Sequence, residues 1–194
     1  MDSEVALQDH YSRLIQQVHQ IKEDLVHLKD KYVEAHGIPH FDVPGGSASI
    51  GSANWLELAM EERLLANISA YINLEKRLMQ VITDQAESLI HEESELHGGL
   101  LNLLENVTAL RTQLEYLGAT MGLTSESLNG TDDVDNGSGG LFEMKVRGYH
   151  VLAELSVWAL RSVRDLRKLK NEQKNLASKT ESSTTESSAE ENGE

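Results

Sequence analysis

Near the start of the chain apolar residues recur in alternating steps of three and four: Tyr11, Leu14, Val18, Ile21, Leu25, Leu28 and Tyr32. That spacing returns side chains to one face of an α-helix, and three heptads of it predict a long amphipathic helix. Gly37 and Pro39 stop it. The predicted span, about residues 3–36, is roughly 50 Å long at the helical rise. A broader stripe, Leu64, Leu65, Ile68, Tyr71, Ile72, Leu78, Met79, Ile82, Ala86 and Leu89, predicts a second helix over about 57–91. Its acidic entry, Glu57, Glu61 and Glu62, suits the positive end of a helix dipole. A third stripe, Leu100, Leu103, Val107, Leu110, Leu114, Leu117 and Met121, gives a helix over about 96–121, and a fourth helix starts near Leu141 and runs to about 172.

Between the stripes lie segments with no helical period. Residues 37–54 and 122–140 are long and dense in Gly, Ser, Asn, Asp and Pro, whereas the link between the second and third helices is short and polar. A short link makes its two helices antiparallel neighbours. A link of almost twenty residues climbs the length of a helix and lets the next one run parallel. The order long, short, long therefore predicts an all-α, up-up-down-down four-helix bundle with two crossover loops. From Leu176 the chain carries one Lys and five Glu among Ser, Thr and Ala, and residues 173–194 read as a disordered acidic tail.

Composition narrows the function classes. The net charge of −15 argues against nucleic acid as the main partner, because phosphate binding needs clustered positive charge. The absence of cysteine removes disulfides, thiol nucleophiles and thiolate metal sites, and suits folding in a reducing compartment. No run of about 18 uncharged apolar residues is present to span a membrane. The first twenty residues are charged throughout, without the apolar run of a signal peptide. Catalysis has no support, since no nucleophile, base and orienting group recur together. No cofactor or metal is expected. Asp132, Asn136, Gly137 and Glu143 fit four calcium-loop positions, but Val134 stands where a ligand belongs. His36 and His40 have metal-ligand spacing on a helix that Gly37 and Pro39 break. Sequons stand at Asn67, Asn106, Asn129 and Asn136 and are expected to stay unmodified in a chain without a leader.

Several surface residues carry recognition chemistry. Phe142 and Lys145, three apart at the start of the fourth helix, share a face; they suit an interface anchor or, more plainly, a bundle-end plug beside a solvated charge. Further along, Arg161, Arg164 and Lys168 form a basic stripe opposite Leu155, Leu166 and Leu169, able to steer a partner toward an acidic protein or simply to be solvated. Trp55 suits a contact or a packed crossover, and Trp158 reads as core.

The segment from Gly140 to Arg167 resembles the last helix of the ciliary neurotrophic factor family, within the interleukin-6-type long-chain cytokines. The matching features are GLFE with Lys145, Val151-Leu152, Glu154-Leu155, Trp158, Arg161-Ser162 and Asp165-Leu166-Arg167. The first helix adds Asp24-Leu25, Leu28, Tyr32-Val33 and Gly37, and the second adds Trp55, Glu57-Leu58, Glu62-Arg63-Leu64, Asn67 and Ala70-Tyr71. The resemblance spans about residues 5–170 and fades in the third helix and both loops. Cardiotrophin-like cytokine and cardiotrophin share part of the fourth-helix pattern.

What the resemblance implies is a cytokine and growth factor, a monomer before it meets its receptors, that assembles a cell-surface complex. The implied partners are a ligand-specific alpha receptor, the leukaemia inhibitory factor receptor and the shared glycoprotein transducer, with neuronal survival as the outcome. Phe142 and Lys145 match the family's contact pair for the leukaemia inhibitory factor receptor. Trp55, Arg161, Arg164, Asp165 and Lys168 fall in its alpha-receptor region, and Asp24 stands for the transducer surface on the first and third helices. Cytoplasmic storage and leaderless release are also implied. The rival reading from periodicity alone is an intracellular helical scaffold or coiled coil.

Overall fold

The computed structural model describes residues 2–39, 55–89, 95–123 and 140–187. Four helices pack together: α1 (Asp2–His36), α2 (Met60–Asp84), α3 (Glu95–Thr120) and α4 (Leu141–Ser187). No strand occurs among the described residues. The expected stripes form the core: Tyr11, Leu14, Val18, Ile21, Leu25 and Tyr32 of α1 meet Leu64, Ile68 and Tyr71 of α2, Leu100 to Leu117 of α3, and Val151 to Leu169 of α4. The heptads of α1 and α3 are spent inside the bundle, which leaves the coiled-coil scaffold reading no free seam. Met79 departs from its expected place: it is 53% exposed, because the stripe of α2 narrows to Leu74, Leu78 and Val81.

Cross-helix bonds fix the directions. Lys170 reaches Ser12 and Lys145 reaches the carbonyl of His36, so α1 and α4 are antiparallel. Asp24 with Asn106 and Lys31 with Glu95 oppose α1 and α3. Tyr71 with Ser162 and Arg77 with Glu154 oppose α2 and α4. Helices α1 and α2 thus share one direction, and α3 and α4 the other. The connecting residues 40–54 and 124–139 lie outside the described residues, as do the sequons at Asn129 and Asn136 and the calcium-like positions Asp132 to Gly137. At the α1–α4 crossing Gly148 is required by close approach, since a Cβ there would collide with the hydroxyl of Tyr32.

Three boundaries differ from the sequence reading. A separate 3-10 turn, Trp55–Glu57, precedes α2, and a widened π turn, Gln85–Leu89, ends it. Helix α4 continues to Ser187, well past the boundary expected near 172, so residues 173–187 are helical and the expected disordered tail is corrected there. The physical reason applies to residues 173–179: low hydrophobicity argued for disorder, while Gln173, Lys174, Leu176, Ala177 and Lys179 are good helix formers that extend the turn in which Lys168 and Glu172 are paired. No helix among the described residues is long and apolar enough to cross a membrane.

Candidate functional site: two surfaces on one helix

The residues of α4 expected from sequence to make contacts lie in two groups, one at its start and one near its middle. Toward its C-terminal half, the turn Trp55–Glu57 lays Trp55 against α4. The Trp55 indole N–H donates to Asp165 Oδ1 at 3.0 Å, and Arg63 donates to the same oxygen at 3.3 Å. Asn67 Nδ2 donates to Asp165 Oδ2 at 3.0 Å and to the Arg63 carbonyl at 2.8 Å. The Arg63 Nε–H donates to the Leu58 carbonyl, tying the crossover segment to α2. Arg63 and Asp165 are 3% and 2% exposed, a buried ion pair whose remaining hydrogen-bonding capacity is met by neighbours.

The network continues inward. Ser162 has one hydroxyl proton and two acceptors within reach, Asn67 Oδ1 and the Trp158 carbonyl, so it takes its third bond as an acceptor from Tyr71. Burial pushes the Tyr71 phenol well above its usual range, opposed by its bond to Ser162, which keeps it a donor. Outside the network, Trp55 and Trp158 meet edge to face at 5.9 Å. The Arg161 guanidinium lies 4.5 Å from the Trp55 ring centre and 5.0 Å from that of Trp158. Burial lowers the Arg161 pKa, Asp165 opposes that, and Arg164 adds to it.

Placement of the predicted residues on this surface is uneven. Arg164 and Lys168 are exposed, the latter 3.8 Å from Glu172. Arg161 does not simply point away from the core, as its place on the stripe implied, but is half-buried over two rings. Trp55 is buried. Asp165, expected as a contact, is corrected to a buried support: it lies beneath the surface, with both carboxylate oxygens bonded by Trp55, Arg63 and Asn67. Arg63, Asn67 and Ser162 were given no role from sequence. The signal was present: Arg63 and Asn67 are polar residues four apart on the buried face of Leu64, Ile68 and Tyr71.

At the N-terminal end of α4, Phe142 is 61% exposed. Lys145 folds back from it, its Nζ donating at 3.1 Å to the carbonyl of His36, the last residue of α1. A cation there satisfies an orphan carbonyl and complements the helix dipole. His36 Nε2 bonds Gln85 Oε1 at 2.9 Å, Gln85 Nε2 donates to the Tyr32 hydroxyl at 3.4 Å, and the Tyr32 and His36 rings lie 4.4 Å apart. Burial lowers the His36 pKa; the Gln85 bond opposes this and Lys145 reinforces it.

On the α1–α3 face, Asp24 is half-exposed, accepting from Gln20 at 2.9 Å and from Asn106 at 3.4 Å. Beside it runs a groove of about 410 Å³ lined by His10, Arg13, Gln17, Gln113 and Tyr116. Among the described residues no group of three acidic or imidazole side chains is placed to hold a metal.

A profile of the ciliary neurotrophic factor family matches residues 3–185. The chain is 34% identical to ciliary neurotrophic factor of Sus scrofa over 84% of its own length and 83% of the relative's. It is 32% identical to the Rattus norvegicus protein over 86% and 85%, and 32% identical to the Homo sapiens protein over 84% and 83% of the two chains.

Proposed function

The chain belongs to the ciliary neurotrophic factor family and is a cytokine, not an enzyme, and from that premise we propose that it signals by joining different receptor chains at separate places on one bundle. In this reading the surface of Trp55, Arg161, Arg164 and Lys168 meets an alpha receptor, with Asp165 holding Trp55 from below. Phe142 and Lys145 meet the leukaemia inhibitory factor receptor, and the α1–α3 face with Asp24 meets the shared glycoprotein transducer. Assembly of the three triggers JAK/STAT-type signalling for neuronal survival and differentiation.

The observation that carries this reading is the separation of two chemically unlike surfaces along α4. Phe142 and Arg161 are nineteen residues apart on one continuous helix, about 28 Å at the helical rise, which lets each stand at the centre of its own contact of ordinary size. One surface projects an exposed aromatic; the other is a platform of stacked rings edged by cations. An exposed aromatic anchor and a charged rim are features that protein interfaces use for affinity and for approach respectively.

The test is stepwise complex formation with the Phe142→Ala, Lys145→Ala double variant. It should bind the alpha receptor as the parent does and fail to recruit the leukaemia inhibitory factor receptor. Equal loss of both interactions would refute the division of labour.

A further inference from the structure

The part of α4 that leads into the predicted tail is the most basic stretch of an acidic protein. Seven of the 17 Lys and Arg residues fall between Arg161 and Lys179, with Asp165 and Glu172 as the carboxylates there, a balance of seven minus two, or +5, in a chain of −15. Asp165 is buried and committed to Arg63 and Trp55, and Glu172 lies beside Lys168. Among the described residues no carboxylate is within ion-pair distance of Arg164, Arg167, Lys170 or Lys174. At a helical advance of about 100° per residue these four occupy an arc of about 120° on the side away from Leu155, Leu166 and Leu169. From Arg164 to Lys174 the arc is about 15 Å long.

We propose that this face of α4, together with the α1 rim it touches, binds a sulfated polysaccharide. The α1 rim holds two of these cations in place: Lys170 Nζ donates to Ser12 Oγ at 2.7 Å, and Arg167 donates to His19 Nε2 at 3.3 Å. Ser12, Ile15, Arg167, Lys170 and Asn171 line a groove of about 420 Å³ that would seat one sugar edge. The exposed positions from Arg164 to Asn175 are Arg164, Arg167, Lys168, Asn171, Lys174 and Asn175, all Arg, Lys or Asn.

That composition selects the partner. A helix that lies in a membrane surface needs a broad apolar flank to bury among acyl chains; none of these six positions supplies one, and the exposed Leu160 and Leu176 that bracket them are single side chains about 24 Å apart along the helix. Single-stranded nucleic acid is gripped by aromatic stacking, and none of the six is aromatic. A linear polymer bearing sulfates and hydroxyls uses what is present, cations spaced about a helical turn apart with amides between them. Arg164 also belongs to the proposed alpha-receptor surface, but the polysaccharide proposal stands on charge and exposure and does not depend on that reading.

The full chain passed over immobilised heparin at about 0.15 M salt tests it. The protein should be retained despite its net negative charge, and its affinity should fall steeply with salt as counterions are released. Replacing Arg167→Gln with Lys174→Gln, which leaves Arg164 and Lys168 in place, should reduce the slope of log affinity against log salt by about two. The charge-matched variant Lys29→Gln with Lys76→Gln should retain the parent slope. Circular dichroism melting of both variants beside the parent identifies any loss that comes from unfolding, and a Lys174→Gln single variant, at an exposed position without a bonded partner, should still lower the slope by about one if the double variant is destabilised. Passage of the parent through the column, identical slopes for the two double variants, equal retention on desulfated heparin, or tighter binding to phosphatidylserine vesicles than to heparin would each overturn the proposal.

Discussion

The start and the middle of α4 present their proposed contact residues in opposite ways. At the N-terminal end Phe142 stands in solvent, and Lys145, three residues on, bonds the His36 carbonyl and serves α1 rather than the aromatic. Toward the C-terminal half the aromatics are sunk, and Asp165, Arg63 and Asn67 hold Trp55 in place while cations remain at the edge. A projecting anchor contributes little to folding, so recognition and stability are separable there. A platform built on a buried ion pair ties the two together, because any loss of the support alters both the fold and the surface above it.

The sharpest way to break this contrast is Asp165→Ala. It leaves the Arg63 guanidinium buried without its counter-ion and takes the acceptor from the Trp55 indole. Removing one partner of a buried pair costs about 3–5 kcal/mol, and a chain of this length loses about 2–4 °C in Tm per kcal/mol. Melting should drop by about 6–20 °C. The only two tryptophans, Trp55 and Trp158, both sit in this cluster, so intrinsic fluorescence should shift to the red as Trp55 gains water. An unchanged emission spectrum would mean that the network does not hold Trp55.

Phe142→Ala should show the opposite signature. Truncating an exposed side chain changes stability by about 0.5 kcal/mol or less. Loss of an aromatic anchor at an interface costs about 2 kcal/mol or more, about thirtyfold in affinity. Calorimetric melting paired with binding to each receptor chain reads both quantities. A large fall in Tm would place Phe142 with the core and erase the distinction between the two regions.

Arg161→Ala sits between these extremes. The stacked cation is half-buried, and loss of its contact with two rings should cost about 1 kcal/mol of stability. Arg161→Lys should recover the charge but not the planar stacking. Near-ultraviolet circular dichroism of the tryptophans should therefore change in both variants, while alpha-receptor association at low salt should recover toward the parent rate in the Lys variant alone.

How legible these features were depends on their periodicity. The stripes of α1 and α3 were readable because every third or fourth residue is Leu, Ile, Val or Tyr, and a heptad leaves few alternatives. The end of α4 was misread because composition and propensity disagree over residues 173–179, and a window with few apolar residues gives packing no vote. Phe142 and Lys145 were visible as a pair, but the bond from Lys145 to His36 joins positions 109 residues apart and has no local signature. The same holds for Asp165: its charge suggested a surface, whereas only the approach of α2, bringing Arg63 and Asn67 from about 100 residues away, makes burial tolerable. A polar residue on an apolar stripe is the trace such networks leave, and Arg63 with Asn67 is that trace here.

The smallest expected effect sharpens the comparison at the Phe142 end, where His36 lies under Lys145. The groups around the His36 ring are Tyr32 of α1, Gln85 after α2 with Asp84 one residue before it, and Lys145 of α4, with Arg147 paired to Asp84. Burial lowers the pKa of His36 below its ordinary value, the nearby ammonium adds to the lowering, and the hydrogen bond to Gln85 opposes both. In the window between the two values the unfolded chain binds a proton that the folded chain refuses, so stability rises with pH there. The contribution is fully present above the unfolded value of about 6.5 and is lost as pH falls through it toward the folded value. Urea unfolding at about pH 7.5 and about pH 5.5 should show a loss on acidification that is smaller in His36→Gln than in the parent. Subtracting the variant removes the other histidines from the difference. Because Lys145 Nζ bonds the His36 main-chain carbonyl, not the ring, the substitution leaves that bond in place, and an effect tied to the ring alone should leave receptor recruitment at neutral pH unchanged. A parent and variant with the same acid dependence would show that His36 is no more protected from protonation than an exposed imidazole, and that the support under Lys145 is as open as Phe142 beside it.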